Sequence, residues 1–66
     1  MVTLREAREA RGIKQNAVAE ALNISRQTYA KYEDKPEFMP LGKAKAACFF
    51  IGVDINDVCF NADILA

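Results

Sequence analysis

The sequence predicts an all-α fold, one compact domain of five short helices. Polar capping residues recur ahead of short stretches in which apolar residues return every three or four positions. Gly12, Gly52 and both prolines fall between those stretches. A length of 66 residues admits a single small domain.

Thr3-Leu4-Arg5-Glu6 has the form of a capping box, the Thr3 side chain accepting from the Glu6 amide and Glu6 reaching back to the Thr3 amide. A first helix over residues 4–11 follows, with Leu4 and Ala7 on its inner face and Gly12 ending it. Ile13 leads into a second helix over 15–22, whose inner stripe is Val18, Ala19 and Leu22. Asn23 stands where that helix must stop; after Gly, Asn best tolerates the left-handed backbone needed there. Ser25 caps a third helix over 26–32, and Ile24 and Tyr29 have the spacing of a hydrophobic staple. Residues 34–40, DKPEFMP, read as a loop because each proline disfavours helix in the residue before it. A fourth helix spans 41–51 with Leu41, Ala44, Cys48 and Ile51 inward, closed by Gly52 and by Val53 packing on Cys48. Asp54 caps a fifth helix over 55–60. Residues 1–60 form the domain, and 61–66, NADILA, a short C-terminal tail.

Ordering a chain of this length costs roughly 100 kcal/mol, which so small a core barely offsets, so a disulfide, a metal or a partner chain is the usual remedy. Cys48 and Cys59 stand eleven positions apart in AACFFI and DVCF, without a CxxC and without any histidine. Neither a disulfide scaffold nor a zinc site is expected from them. They read as two small buried hydrophobes, the other reading being a thiol near a subunit contact. The lack of histidine also removes the commonest general base. No GxSxG, phosphate-cradling Gly-rich loop or HExxH occurs, and the carboxylates sit mostly beside bases as solvated surface pairs. The chain is therefore expected to be no enzyme, with no metal, no cofactor and no small-molecule substrate. MVTLREAREA turns charged at once and the longest apolar run, residues 46–51, is far short of a membrane span, so a cytoplasmic protein with no membrane partner is expected.

Residues 15–32 have the layout of a helix-turn-helix. Ala19 must be small because the third helix crosses close to it, Asn23 makes the turn, and Val18, Leu22, Ile24, Tyr29 and Tyr32 fill the wedge between the helices. With Tyr29 and Tyr32 inward, about 100° per residue turns Arg26, Gln27, Ala30 and Lys31 outward. Arg26 and Gln27 then occupy the first turn of an exposed helix, whose N-terminus carries positive partial charge. Arg suits the O6/N7 pair of guanine and Gln the N6/N7 pair of adenine, each contact discriminating by roughly 1–3 kcal/mol. Ordinary solvated helix residues are the competing reading.

LREAREARGIKQNAVAEALNISRQTYAKYE followed by GVDINDVCF resembles the lambda-type phage repressor family of helix-turn-helix proteins, the XRE or Cro/C1 type, over residues 4–60. The resemblance implies a lambda-repressor-like DNA-binding domain with the helix-turn-helix formed by helices 2 and 3. It also implies base reading in the major groove by Arg26, Gln27 and Lys31, and backbone contacts from Lys14, Gln15, Asn16, Ser25, Thr28 and Lys35. Arg8 and Glu33 match the two places of a structural ion pair that holds the first helix against the third. Departures from the family pattern are Lys14 in place of a Thr or Ser cap, Tyr29 in place of a branched aliphatic residue, Asn23 in place of the turn Gly, and Asp34-Lys35 in place of Asn or Arg and Gly.

The implied function is sequence-specific transcription regulation by a repressor bound as a homodimer to a palindromic operator. A restriction-modification controller or a DNA-binding antitoxin would look nearly the same. Phe49, Phe60, Ile64 and Leu65 are the candidate dimer contact, or else complete a small core. An alternative of another class, a protein-interaction module such as an antirepressor, is favoured by Asp34 and by the net charge of zero. That zero hides a segregation: residues 1–45 hold nine bases and six acids, a net of +3, and residues 46–66 hold three acids and no base.

Overall fold

The computed structural model describes residues 1–60 and is mostly helical. A short strand, β1 (Val2–Thr3), runs directly into α1 (Leu4–Ala10). Thr3 governs that entry: its hydroxyl accepts from the Glu6 amide at 3.1 Å, and the Thr3 amide donates to Glu6 Oε1 at 2.9 Å. These bonds hold the exposed Glu6 carboxyl below its usual range. α1 stops at Ala10, with Arg11 as its cap residue and Gly12 at φ 67°.

α2 (Gln15–Ala21) follows Lys14, whose side chain makes no capping bond. Asn23 turns the chain at φ 59°, as the lost helical repeat after Leu22 requires. The Leu22 carbonyl accepts from Lys43 Nζ at 2.9 Å, placing an ammonium at the negative end of the α2 dipole. α3 (Arg26–Asp34) begins on Ser25, whose Oγ accepts from the Thr28 amide at 3.1 Å. It runs two residues past the expected end, since the Lys35 amide still donates to the Lys31 carbonyl at 2.8 Å, and this brings Glu33 into its last turn. Within the expected loop, Pro36–Phe38 forms a single 3₁₀ turn.

α4 (Leu41–Ile51) ends on Gly52 at φ 89°, where the Gly52 and Val53 amides both donate to the Cys48 carbonyl, at 2.8 and 3.0 Å. Arg11 Nη2 donates to the Gly52 carbonyl at 2.9 Å and so ties the end of α1 to the end of α4. Leu41 does not join the inner face; it is 65% exposed, because a first helical residue projects back beyond the last layer of the core. Ala44, Ala47, Cys48 and Ile51 form that face instead, and burial pushes the Cys48 thiol up. They pack with Leu4, Val18, Ala19, Leu22, Tyr29 and Val58 into one core.

The fifth helix expected over residues 55–60 is absent. Asp54 Oδ1 accepts from the Asn56 amide at 2.8 Å and caps only one 3₁₀ turn, Ile55–Asp57. The chain then extends as β2 (Val58–Cys59), parallel to β1, with Val2 opposite Val58 and Thr3 opposite Cys59. The reason is satisfaction of backbone: β1 needs partners for its N–H and C=O groups, and an extended 58–59 supplies them while burying both side chains. Among the described residues the architecture is thus four α-helices joined by turns and clasped by a two-stranded sheet, not a five-helix all-α bundle.

Asn23→Ala should lower the unfolding free energy by about 1 kcal/mol, because Ala lacks the short polar side chain that eases left-handed backbone. Asn23→Gly should leave it unchanged or raise it, and urea denaturation checks both. Gly52→Ala should cost more than Asn23→Ala, since its added Cβ also lies 3.1 Å from Arg11 Nη1.

Candidate nucleic-acid interface

The charged side chains of the domain divide into a buried cluster and an exposed face. In the cluster, Arg8 Nε donates to Glu33 Oε2 at 2.6 Å and Arg8 Nη2 to Glu33 Oε1 at 3.2 Å, so the structure brings this pair together in bidentate form. The Arg8 side chain is 10% exposed and that of Glu33 fully buried. A third Arg8 nitrogen, Nη1, donates to the Ile13 carbonyl at 2.7 Å. Gln15 Nε2 donates to Glu33 Oε1 at 3.0 Å, and Arg5 Nε adds a 3.5 Å ion pair to the same oxygen.

Burial works to raise the Glu33 carboxyl, but the Arg8 and Gln15 hydrogen bonds outweigh it and leave it below the usual range. The Glu33 bond in turn raises the Arg8 guanidinium. Tyr29, buried beside this cluster, is pushed well above the usual phenol range by burial and by the nearby Glu33 charge. Its hydroxyl has no partner in hydrogen-bond geometry among the described residues.

One consequence concerns Gln15. It is half-buried with its amide N–H₂ donating to Glu33, rather than presented to solvent as most of the other expected backbone-contacting residues are. Lys14, Asn16, Ser25 and Lys35 are exposed, and Thr28 is half-buried. Ser25 Oγ donates to Thr28 Oγ1 at 2.9 Å, which leaves the Thr28 O–H to donate outward.

Arg26, Gln27 and Lys31 are all exposed on α3, and among the described residues none of them spends its polar end on another side chain. At about 100° per residue Gln27, Lys31 and Asp34 share one line, with Arg26 and half-buried Ala30 flanking it. The face is therefore cationic and hydrogen-bonding at its start and meets a carboxylate at its end. The chain carrying it passes from α1 through α2 and a left-handed Asn23 into α3, over residues 4 to 34. Residues 4–35 match the helix-turn-helix family.

Over this segment the chain is similar to the Cro/C1-type, or XRE, helix-turn-helix family. The family is one of DNA-binding transcription regulators. Comparison of the chain with curated proteins and with solved structures gives no match. The helix-turn-helix match covers the buried charge cluster and the exposed α3 face and stops short of α4.

Of the candidate dimer residues, Phe49 is 90% exposed and Phe60 is half-buried against the core, while Ile64 and Leu65 lie outside the described residues. Among the described residues no helix is long and apolar enough to cross a membrane, and no group of three or more His, Cys, Asp or Glu is placed to hold a metal. Sequence reasoning missed the Arg5 and Gln15 contributions to Glu33. A signal was present, because Arg5 and Arg8 at i, i+3 share one side of α1.

Removing one partner of a buried pair costs about 3–5 kcal/mol, against a total of roughly 3–10 kcal/mol for a domain of this size. Arg8→Met and Glu33→Leu should each melt far below the parent, and the double variant should recover much of the loss; thermal circular dichroism reads all three. Since the folded Glu33 carboxyl lies below the ordinary carboxylate range, its contribution is complete above that range and is lost as pH falls through the lower folded value. Glu33→Gln should therefore flatten the acid limb of a stability–pH curve.

Proposed function

We propose that this chain is a sequence-specific DNA-binding transcription regulator of the cytoplasm. It acts as a repressor that binds a palindromic operator as a homodimer and occludes the promoter there. In this reading α2 and α3 are the helix-turn-helix pair, and α3 lies in the major groove. Arg26 and Gln27 read bases from its first turn and Lys31 from one turn later. Lys14, Asn16, Ser25, Thr28 and Lys35 meet phosphates. Gln15 serves from inside, through Glu33, by fixing where α2 starts relative to α3.

One observation carries the reading. Three long polar side chains stand exposed and uncommitted on a helix whose far end is locked by buried charge, within a segment that matches the helix-turn-helix family. Side chains held out on a rigid element lose little freedom on meeting a base edge, which favours specific contact. The chain works as a binding module and not as an enzyme, with no cofactor and no small-molecule substrate.

A second reading, a protein-interaction module on the same fold, draws on exposed Asp34, which shares the outward line of α3 with Gln27 and Lys31 and repels phosphate. Selection of bound sequences from random DNA separates the two. Enrichment of a palindrome supports the regulator, and no binding even at low salt, where phosphate attraction is strongest, supports the interaction module.

Arg26→Ala and Gln27→Ala should each relax preference at one position of the selected site at a cost of about 1–3 kcal/mol. Lys14→Ala should weaken binding to all sequences alike and reduce the salt slope by about 1. Titration of selected and scrambled duplexes at several salt concentrations distinguishes these outcomes.

A further inference from the structure

Where α3 ends, a groove of about 400 Å³ opens among Lys31, Tyr32, Asp34, Lys35 and Phe38. Phe38 is 70% exposed, yet it stands on an ordered turn. Its amide donates to the Lys35 carbonyl at 3.1 Å, the Met39 amide donates to the Pro36 carbonyl at 3.0 Å, and the Met39 side chain is buried in the core. Pro36 at the head of the turn fixes the backbone there as well. Tyr32 is half-buried and packs on the core from α3. Two aromatic rings anchored in this way line one recess.

The polar groups around that recess are uncommitted. Among the described residues the Lys31 and Lys35 ammonium groups, the Asp34 carboxylate and the Tyr32 hydroxyl form no hydrogen bond or ion pair. Arg8, Arg11 and Lys43, by contrast, are each engaged within the fold. The Lys35 amide donates to the Lys31 carbonyl at 2.8 Å, so the two lysines stand one turn apart and reach the same side of the helix.

We propose that this groove is a ligand site for a free nucleoside monophosphate. Its volume lies in the range of small-molecule sites, which combine an apolar lining with a few convergent polar groups. A phosphate monoester carries close to two negative charges at neutral pH, which matches two ammonium groups; a carboxylate would match one. The planar base supplies a face for Phe38 and Tyr32 to stack on. Asp34 accepts from the ribose hydroxyls, as acidic residues do in dinucleotide sites, whereas a simple aromatic acid has no donor to offer it. An extended peptide needs a sheet edge or a groove long enough for several side chains, and a recess lined by five residues is neither. Lys31 and Lys35 are also the residues assigned above to a base and a phosphate of DNA, so nucleotide and DNA exclude each other. At ten times its own Kd the nucleotide should lower the apparent DNA affinity about tenfold.

That last effect rests on the regulator proposed above, but the site itself is measured without DNA. Adenylate, guanylate, cytidylate and uridylate are titrated into the full chain to about 10 mM, an excess over a millimolar Kd, with amide resonances as the readout. At least one should shift Lys31, Tyr32, Lys35 and Phe38 saturably, and adenosine or inorganic phosphate alone should bind at least tenfold more weakly. Phe38→Ala should weaken nucleotide binding at least tenfold, about 1.4 kcal/mol, with helical circular dichroism unchanged, and Phe38→Trp should keep it. Failure of all four nucleotides overturns the proposal, as does a Phe38→Ala chain that binds like the parent. Inorganic phosphate bound as tightly as the nucleotide overturns it too, because attraction to surface lysines then accounts for the binding. So does an unpaired DNA strand that binds where no mononucleotide does. A chain that binds a nucleotide yet selects no DNA sequence leaves the site standing and removes the regulator; one that selects DNA and binds no nucleotide does the reverse.

Discussion

The orientation of α3 depends on the charge that Arg8 brings to Glu33. Both ions sit out of water, and their desolvation would exceed their attraction were the geometry poor or lone pairs left over. Here Glu33 receives two Arg8 bonds and one from Gln15, and Arg8 uses its remaining nitrogen on the Ile13 carbonyl. Four bonds thereby link α1, the α1–α2 connection, the first residue of α2 and the last turn of α3. The apolar core around them is rich in alanine, at positions 7, 19, 44 and 47, and small side chains leave room for more than one packing. Directional bonds narrow that choice. They fix α3 from its buried end, and the exposed first turn with Arg26 and Gln27 takes its direction from there.

Much of this was legible because it is local. The capping box at Thr3, the turn at Asn23, the cap at Ser25 and the stop at Gly52 each depend on residues within one helical turn, and each appears where those residue types stand. The exposed face of α3 follows from helical geometry once Tyr29 is turned inward. The expectation that failed, a fifth helix after Asp54, failed for a non-local reason, since the partner that makes Val58 and Cys59 extended is a strand at the other end of the domain. Leu41 failed through position, because periodicity counts it with Ala44 and Cys48 while its place at the head of α4 leaves it nothing to pack on. The part of Gln15 in the buried cluster was hidden for the first of these reasons, as Glu33 stands eighteen residues away in sequence.

Charge is arranged with the same economy. The chain is neutral as a whole, with every base within residues 1–45 and three acids but no base beyond them. Several of those bases are used structurally: Arg8 on Glu33, Arg11 on the Gly52 carbonyl and Lys43 on the Leu22 carbonyl. Lys14, Arg26, Lys31 and Lys35 remain exposed around α2 and α3. The positive field at that surface is thus modest.

The pairing of β1 with β2 also bears on how the domain comes to be folded. Val2 and Val58 stand fifty-six positions apart in sequence, whereas the capping bonds close within one turn and the α2–α3 pair within a short stretch of chain. Closing a loop that long is entropically costly until the helices between its ends have shortened the distance. The sheet is accordingly expected to close late, after the α2–α3 pair. Because β1 leads straight into α1, the same late step seats α1, and with it Arg8, against the finished α3. On this argument α3 and the ion pair that orients it would form at different steps of folding.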